Sequence, residues 1–389
     1  LNYKFLFFDN FEINYYVYSV VIFIFLLSVL NLINFIKRKS QFLNIFIIFF
    51  LSLTLISEIL INSNNFFYYL KKKEFKQNKI QFDEKAPKNK LNELRITNNN
   101  INFQLSTWNF REDFFNNLKI HPLSNIPNSM ILSCNENGYY PTYVTDKLGF
   151  NNKPLENNNI DLIVIGDSFA NGECVNQDDN ISSKLRKNHS INAINIGLGG
   201  SGPLEYLAYA VEYVPFIKPK RSIVLFYEGN DIFHDLEFSK NSILNEYIND
   251  NYQNILKNHG YFLEKTNEYL ALKTNKENFN FNKNILIGKI EIRNLYIKKK
   301  IILSKEKIIK NKIILKKLKK IMNQNNVEFE GIIFLPDWVS IKKNKRNIEN
   351  VNLIKKLLNQ LDIKYYDFYE IIKDKPLNYF ASKKVNSHF

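Results

Sequence analysis

Five short apolar runs, separated by stretches of helical character, limit what this chain can fold into. They are 161–165 (DLIVI), 191–196 (INAINI), 222–227 (SIVLFY), 328–334 (EFEGIIF) and 363–367 (IKYYD). Each is largely apolar or β-branched rather than strictly alternating, as strands buried on both faces tend to be. Helical stretches at 179–188, 203–217, 305–324 and 349–360 lie between them. Strand alternating with helix predicts a parallel sheet covered on both sides, a three-layer α/β/α fold. With 389 residues, 45% of them hydrophobic, the chain can bury a sizeable core.

In an open parallel sheet, sites form outside the carboxyl ends of the strands. The first run ends in Gly166-Asp167-Ser168, the second in NIGLGGSGP (195–203), and the third in YEGND (227–231). Three consecutive strand tips therefore carry a serine, a glycine-rich loop and an asparagine beside glycine. Serine becomes a nucleophile when a base takes its proton. Acyl transfer also needs donors aimed at the developing oxyanion, a task suited to a glycine N–H or an asparagine amide. Of five histidines, His388 stands one connection past the last strand, whereas His121, His189, His234 and His259 do not obviously return to the same rim.

The ordered set Gly166-Asp167-Ser168-Phe169, Asn195-x-Gly197-x-x-Gly200, Gly229-Asn230-Asp231 and a late His388 resembles the SGNH (GDSL-type) hydrolase superfamily. YVTDKLGFNN (143–152), GSGPLEY and YEGND are similar to its membrane-anchored bacterial members. The likeness covers roughly residues 135–389 and implies a flavodoxin-like sheet and a serine esterase. Carried over, Ser168 is the nucleophile and donates its backbone N–H. Gly200 donates a backbone N–H and Asn230 its side-chain amide. His388 is the general base, then the acid for the leaving group. Asp167 shapes the bend. No cofactor is implied.

Two departures from the family pattern stand out. Gly229 directly precedes Asn230, where the family usually has one residue between, so Gly229 reads as a turn residue. The family's last block has an aspartate three, occasionally two, residues before the histidine. Here those positions are Val385 and Asn386, with Ser387 between. A Ser–His dyad oriented by a carbonyl or by Asn386 is one outcome, and weak or absent activity is another.

Residues 15–36 and 42–61 are two apolar runs of membrane-spanning length around the basic turn KRKSQ. They predict a transmembrane helical hairpin over 1–62. Lys37, Arg38 and Lys39 place its turn in the cytoplasm. Lys71, Lys72 and Lys73 oppose that orientation from farther off. The expected layout is the hairpin, a linker and irregular lead-in at 63–130, and a hydrolase-like domain at 131–389 with a helical insertion at about 237–320. The expected location is the inner membrane, with the domain facing the periplasm. Leu1 in place of Met, and an end at His388-Phe389, suggest a sequence clipped at both ends.

The formal charge is +15, but the lysines are scattered and form no arginine-rich stripe, so no nucleic-acid partner is indicated. The lysine-and-isoleucine stretch LYIKKKIILSKEKIIKNKIILKKLKKI (295–321) is either a solvated helix face or a contact for anionic lipid or polysaccharide. Cys134 and Cys174 lie in no CxxC, and in an exported domain they can pair, pinning the lead-in beside the nucleophile loop; two unpaired buried thiols is the alternative. No metal ligands cluster, and GLGGSG (197–202) lacks the acidic partner of a dinucleotide fingerprint. The expected partners are the lipid bilayer and an acylated glycan or lipid substrate, with oligomeric state open. Three functions remain: hydrolysis of an ester such as an O-acetyl or acyl group, transfer of that group to a surface polysaccharide, and a weak or inactive glycan-binding scaffold.

Overall fold

The computed structural model describes residues 81–155, 159–231, 243–249, 256–275, 303–336 and 348–374, with Ser52 and Arg346. All but Ser52 belong to the unit spanning 72–284 and 297–389. Apart from Ser52, the runs 15–36 and 42–61 lie outside the described residues, and so do Asn386 and His388. Among the described residues no helix is long and apolar enough to cross a membrane.

The part of the 63–130 segment that is described, from 81 onward, is folded rather than linker. It carries α1 (Pro87–Arg95), β1 (Ile101–Phe103), α2 (Thr107–Phe110), α3 (Asp113–Leu118) and the first residue of β2 (Met130–Leu132). With β3 (Thr142–Val144) the strands form a small sheet, β1 parallel to β2 and β2 antiparallel to β3. Its strands are three residues long, too short to show a period. Polar side chains close its irregular backbone instead: Asn125 Oδ1 accepts from Leu105 N at 2.7 Å, and Thr145 Oγ1 donates to the Ile126 carbonyl at 2.6 Å. Phe110, Phe115, Ile120, Leu123 and Ile126 nonetheless belong to the main core, with Phe110 and Phe115 edge to face at 5.3 Å.

The main sheet holds β4 (Leu162–Gly166), β5 (Ala193–Gly197), β6 (Arg221–Tyr227), β7 (Glu328–Leu335) and β8 (Tyr365–Asp367). All neighbours are parallel, in the order β5-β4-β6-β7-β8. This is the 2-1-3-4-5 order of flavodoxin-like sheets. Between the strands run α4 (Ser168–Asn171), α5 (Ile181–His189), α6 (Pro203–Ile217), α7 (His259–Asn275), α8 (Lys305–Gln324) and α9 (Ile348–Gln360), and α10 (Phe368–Ile372) follows the last strand.

Alternate strand residues feed two cores, because successive side chains point to opposite faces. Ile163, Ile165, Val224, Phe226, Ile332 and Phe334 pack with α6, α8 and α9. Leu162, Val164, Leu225 and Leu335 pack with Phe169 and Ala170 of α4, against which Leu185 of α5 and Phe368 of α10 also lie. Each such aliphatic or aromatic burial contributes roughly 1.5–3 kcal/mol. Helix α8 buries Ile314, Leu315, Leu318, Ile321 and Met322 at helical spacing, and Ser304 caps its first turn by accepting from Lys307 N. It is the crossover helix between β6 and β7, so the expected insertion does not extend through it. What precedes it among the described residues is a 3-10 turn at Ile243–Ile248 and α7.

Candidate active site

Strand order reverses between β4 and β6, which both leave the centre of the sheet side by side. The crevice at such a point, outside the carboxyl ends, is where open α/β sheets bind ligands. Ser168 follows β4 by two residues, Gly200 follows β5 by three, and Asn230 follows β6 by three. The three thus stand at adjacent strand tips on one rim. Asn386 and His388, the expected orienting residue and base, lie outside the described residues.

The serine sits in a tight strand-to-helix bend. Asp167 is buried and caps α4, its Oδ1 accepting from Phe169 N at 3.0 Å. The carboxylate is thereby committed to the turn. Ser168 is 7% exposed, so only a small part of it meets solvent. The Phe169 ring packs on Tyr227 at 4.9 Å and ties the bend to the end of β6. On the other side, a Cβ on Gly197 would stand 2.5 Å from the Gly166 carbonyl and 3.0 Å from that of Asp167. Only glycine lets β5 pass so close to the Ser168 turn.

The loop after β5 turns at Gly200, whose φ is +76° and whose absent Cβ would stand 2.2 Å from Trp108 Nε1. Segment 106–111 braces this loop. Thr107 N donates to the Gly199 carbonyl at 2.9 Å, and Arg111 Nη2 donates to the Gly200 carbonyl at 3.2 Å. The same Arg111 nitrogen reaches Glu205 Oε1 at 2.6 Å, while Glu205 Oε2 accepts from Gly202 N at 3.2 Å. Glu205 is fully buried. His121, also buried, lies with Nε2 3.6 Å from Glu205 Oε1. Burial outweighs the pull of Glu205 and lowers the imidazole pKa to about 4, so the ring is neutral at pH 7. His121 therefore does return toward the rim, but behind the glycine loop.

Asn230 is held by its neighbours. Buried Asp231 accepts from Tyr227 N at 2.7 Å and from the Tyr206 hydroxyl at 2.8 Å, closing the turn. The side-chain oxygen of Asn230 is buried with no hydrogen-bond partner among the described residues. Glu228 next door pairs with Arg346, which also holds Asp367 at the end of β8 through Nη1 at 2.8 Å and Nη2 at 2.9 Å. Lys355 joins Asp367 from α9. Burial raises the Glu228 carboxyl more than Arg346 lowers it. At Asp367 burial also raises, but hydrogen bonds from Arg346 and Lys355 prevail and leave it below the usual range.

Cys134 and Cys174 are joined in a disulfide, with Cα atoms 4.8 Å apart. Cys174 N donates to Ser133 Oγ at 3.1 Å, two residues beyond the end of the α4 turn at Gly172. Asparagines complete the tether: Asn151 Nδ2 donates to the Asn171 carbonyl at 2.8 Å, and Asn152 Oδ1 accepts from Asn195 N at 2.8 Å. Sequence reasoning gave no role to Arg111, Glu205, Asp231, Glu228 and Arg346, although Asp231 stands in its third block and Glu205 and Glu228 in the phrases it quoted. Glu205 had one signal, three residues after Gly202 at the start of a helix; Arg111 had none, since its partner is 94 residues away.

Among the described residues no group of three or more His, Cys, Asp or Glu is placed to hold a metal ion. An open depression of about 450 Å³ lies on α8, lined by Ile313, Lys316, Lys317, Lys319, Lys320 and neighbours. Its residues occupy the half of α8 that leads into the start of β7, at the end of the sheet opposite the rim. Several α8 lysines turn back to the fold, Lys317 to the Ile248 carbonyl at 3.0 Å and Lys310 to Asn245 Oδ1 at 2.9 Å.

A scan against protein-family models gives no match, and a search of curated proteins gives none. Among solved structures, the chain is similar to AlinE4, an SGNH-hydrolase family esterase, at 14% identity and a TM-score of 0.31, covering 60% of this chain and 88% of that one. It is also similar to a mutant of Axe2, an acetyl-xylooligosaccharide esterase from Geobacillus Stearmophilus, at 14% identity and a TM-score of 0.31, covering 59% and 86%.

Proposed function

We propose that the chain is a serine esterase of SGNH type, tethered to the inner membrane by a hairpin over 1–62, with its catalytic domain facing the periplasm. Its substrate is an acylated or O-acetylated glycan or lipid. Ser168 Oγ attacks the ester carbonyl carbon as His388 takes the hydroxyl proton. The oxyanion accepts from Ser168 N–H, Gly200 N–H and Asn230 Nδ2. His388, oriented by Asn386 or a carbonyl, returns the proton to the leaving alcohol, and water then releases the acyl group.

One observation carries the reading: Ser168 lies in a tight bend at the switch point of the sheet, with Gly200 and Asn230 on the neighbouring tips. The test is labelling with a serine-directed fluorophosphonate. Wild type is expected to label, while Ser168→Ala abolishes the signal and His388→Ala slows it by at least about 100-fold. Labelling that survives Ser168→Ala would defeat the mechanism.

A further inference from the structure

A glycine-rich loop is the least suitable backbone for holding an oxyanion donor still, since glycine loses more conformational freedom on ordering than any other residue. Residues 199, 200 and 202 are all glycine. The donor assigned to this loop, Gly200 N–H, lies in the peptide plane that also contains the Gly199 carbonyl. In a trans peptide the two point in opposite directions. Thr107 N fixes the Gly199 carbonyl, so Gly200 N–H points away from Thr107. The next peptide plane contains the Gly200 carbonyl, and Arg111 fixes that one.

We infer that Arg111 and Glu205 are positioning residues that lock the loop in the conformation presenting Gly200 N–H to the oxyanion, an inference that rests on the esterase reading above. Arg111 spans the Gly200 carbonyl and Glu205 Oε1, and Glu205 Oε2 holds Gly202 N. The pair thus grips the loop on both sides of Ser201. Arg111 also stacks on Trp108, its guanidinium carbon 4.8 Å from the ring centroid, and the indole fills the space beside the Gly200 Cα. The arginine arrives already oriented, because its fork is planar and its stem is packed. Beyond this shell, α7 steadies the segment: the Tyr269 hydroxyl donates to Glu112 Oε1 at 2.7 Å and accepts from Asn109 Nδ2 at 3.2 Å. His121 stands behind Glu205, its Nε2 3.6 Å from Oε1. Arg111 acts through the Gly200 carbonyl, and Glu205 acts through Arg111 and Gly202 N.

The test measures fluorophosphonate labelling rate, kcat and KM on p-nitrophenyl acetate, and urea stability, all on the full chain. Arg111→Met and Glu205→Leu are each expected to slow labelling and kcat by about 100-fold, the order seen when one oxyanion donor is lost, with KM changed less than about threefold. The double variant is expected to be no slower than either single one, because the two act as a unit. Arg111→Lys covers the case where these variants fold poorly. A lysine can pair with Glu205 but has no planar guanidinium to stack on Trp108 and keep its donor on the Gly200 carbonyl, so kcat falls while stability is largely kept. Arg95→Met is the packing control: Arg95 donates to the Ile101 carbonyl at 3.2 Å, away from the glycine loop, so its loss lowers stability without slowing labelling. Arg111→Met and Arg111→Lys labelling at the wild-type rate, or Arg95→Met slowing labelling as much as they do, overturns the inference and leaves the esterase reading intact. Failure of wild type itself to label overturns the esterase reading and the positioning role together.

Discussion

Gly200 and Asn230 stand on either side of the Ser168 turn, and the chain holds them in different ways. The Gly200 side has no rigid backbone of its own. It is gripped by Thr107 and Arg111 from a segment about 90 residues earlier, with Glu205 closing the grip. The Asn230 side is held locally, by Asp231 accepting from Tyr227 N four residues back, and then by Arg346 binding the end of β6 to the end of β8. The glycine flank gains close backbone approach at the cost of depending on a distant segment. The asparagine flank presents a side chain from a self-closed turn, so its outer supports serve mainly the sheet. Breaking the first should cost rate, and breaking the second should cost stability.

The largest expected loss is at Arg346. Its side chain is 5% exposed and pairs with Glu228 and Asp367, so Arg346→Met leaves two carboxylates near each other with Lys355 the remaining cation beside Asp367 among the described residues. Removing one partner of a buried charge set costs about 3–5 kcal/mol. Urea denaturation should show that loss, with kcat little changed where the variant stays folded. A large kcat loss without a stability loss would erase the contrast between the flanks.

Next in size is the disulfide behind the Ser168 turn, which closes a loop with a sequence separation of 40. Replacing both cysteines by serine should lower stability by about 2–4 kcal/mol. Thiol titration of the oxidised, denatured wild type should find no free thiol, and finding two sinks the prediction.

His121 probes the glycine flank through pH. Its folded pKa is lowered from 6.5 to about 4, so the unfolded chain takes up a proton that the folded chain refuses. The His121 contribution is fully present above pH 6.5 and is lost as pH falls toward 4, by up to about 3 kcal/mol. A His121→Gln variant should show a flatter stability profile over that window; an unchanged slope would mean the ring is not held neutral.

Much of the fold was legible beforehand. The apolar parts of runs such as 161–165 and 328–334, residues 162–165 and 332–334, are apolar on both faces, and burial on both faces is what a covered parallel strand demands. The helical stretches read at 203–217 and 305–324 match α6 and α8 at the bounds observed. The folded part of the lead-in was not legible. Its strands are three residues long and its turns are closed by Asn125, Ser133 and Thr145 rather than by a repeating apolar face. For the same reason nothing in the sequence singled out Arg111.

The sequence by itself determined the alternation of buried strands and covering helices, and the residue types set at three of the strand ends. Those follow from local chemistry: side-chain period, turn preference, and the freedom of glycine. Only the tertiary structure decided which distant groups hold those ends in place. Arg111 and Glu205, or Glu228 and Arg346, meet because the sheet order brings separate stretches of chain to one rim. A contact between residues a hundred positions apart leaves no periodic trace in either stretch.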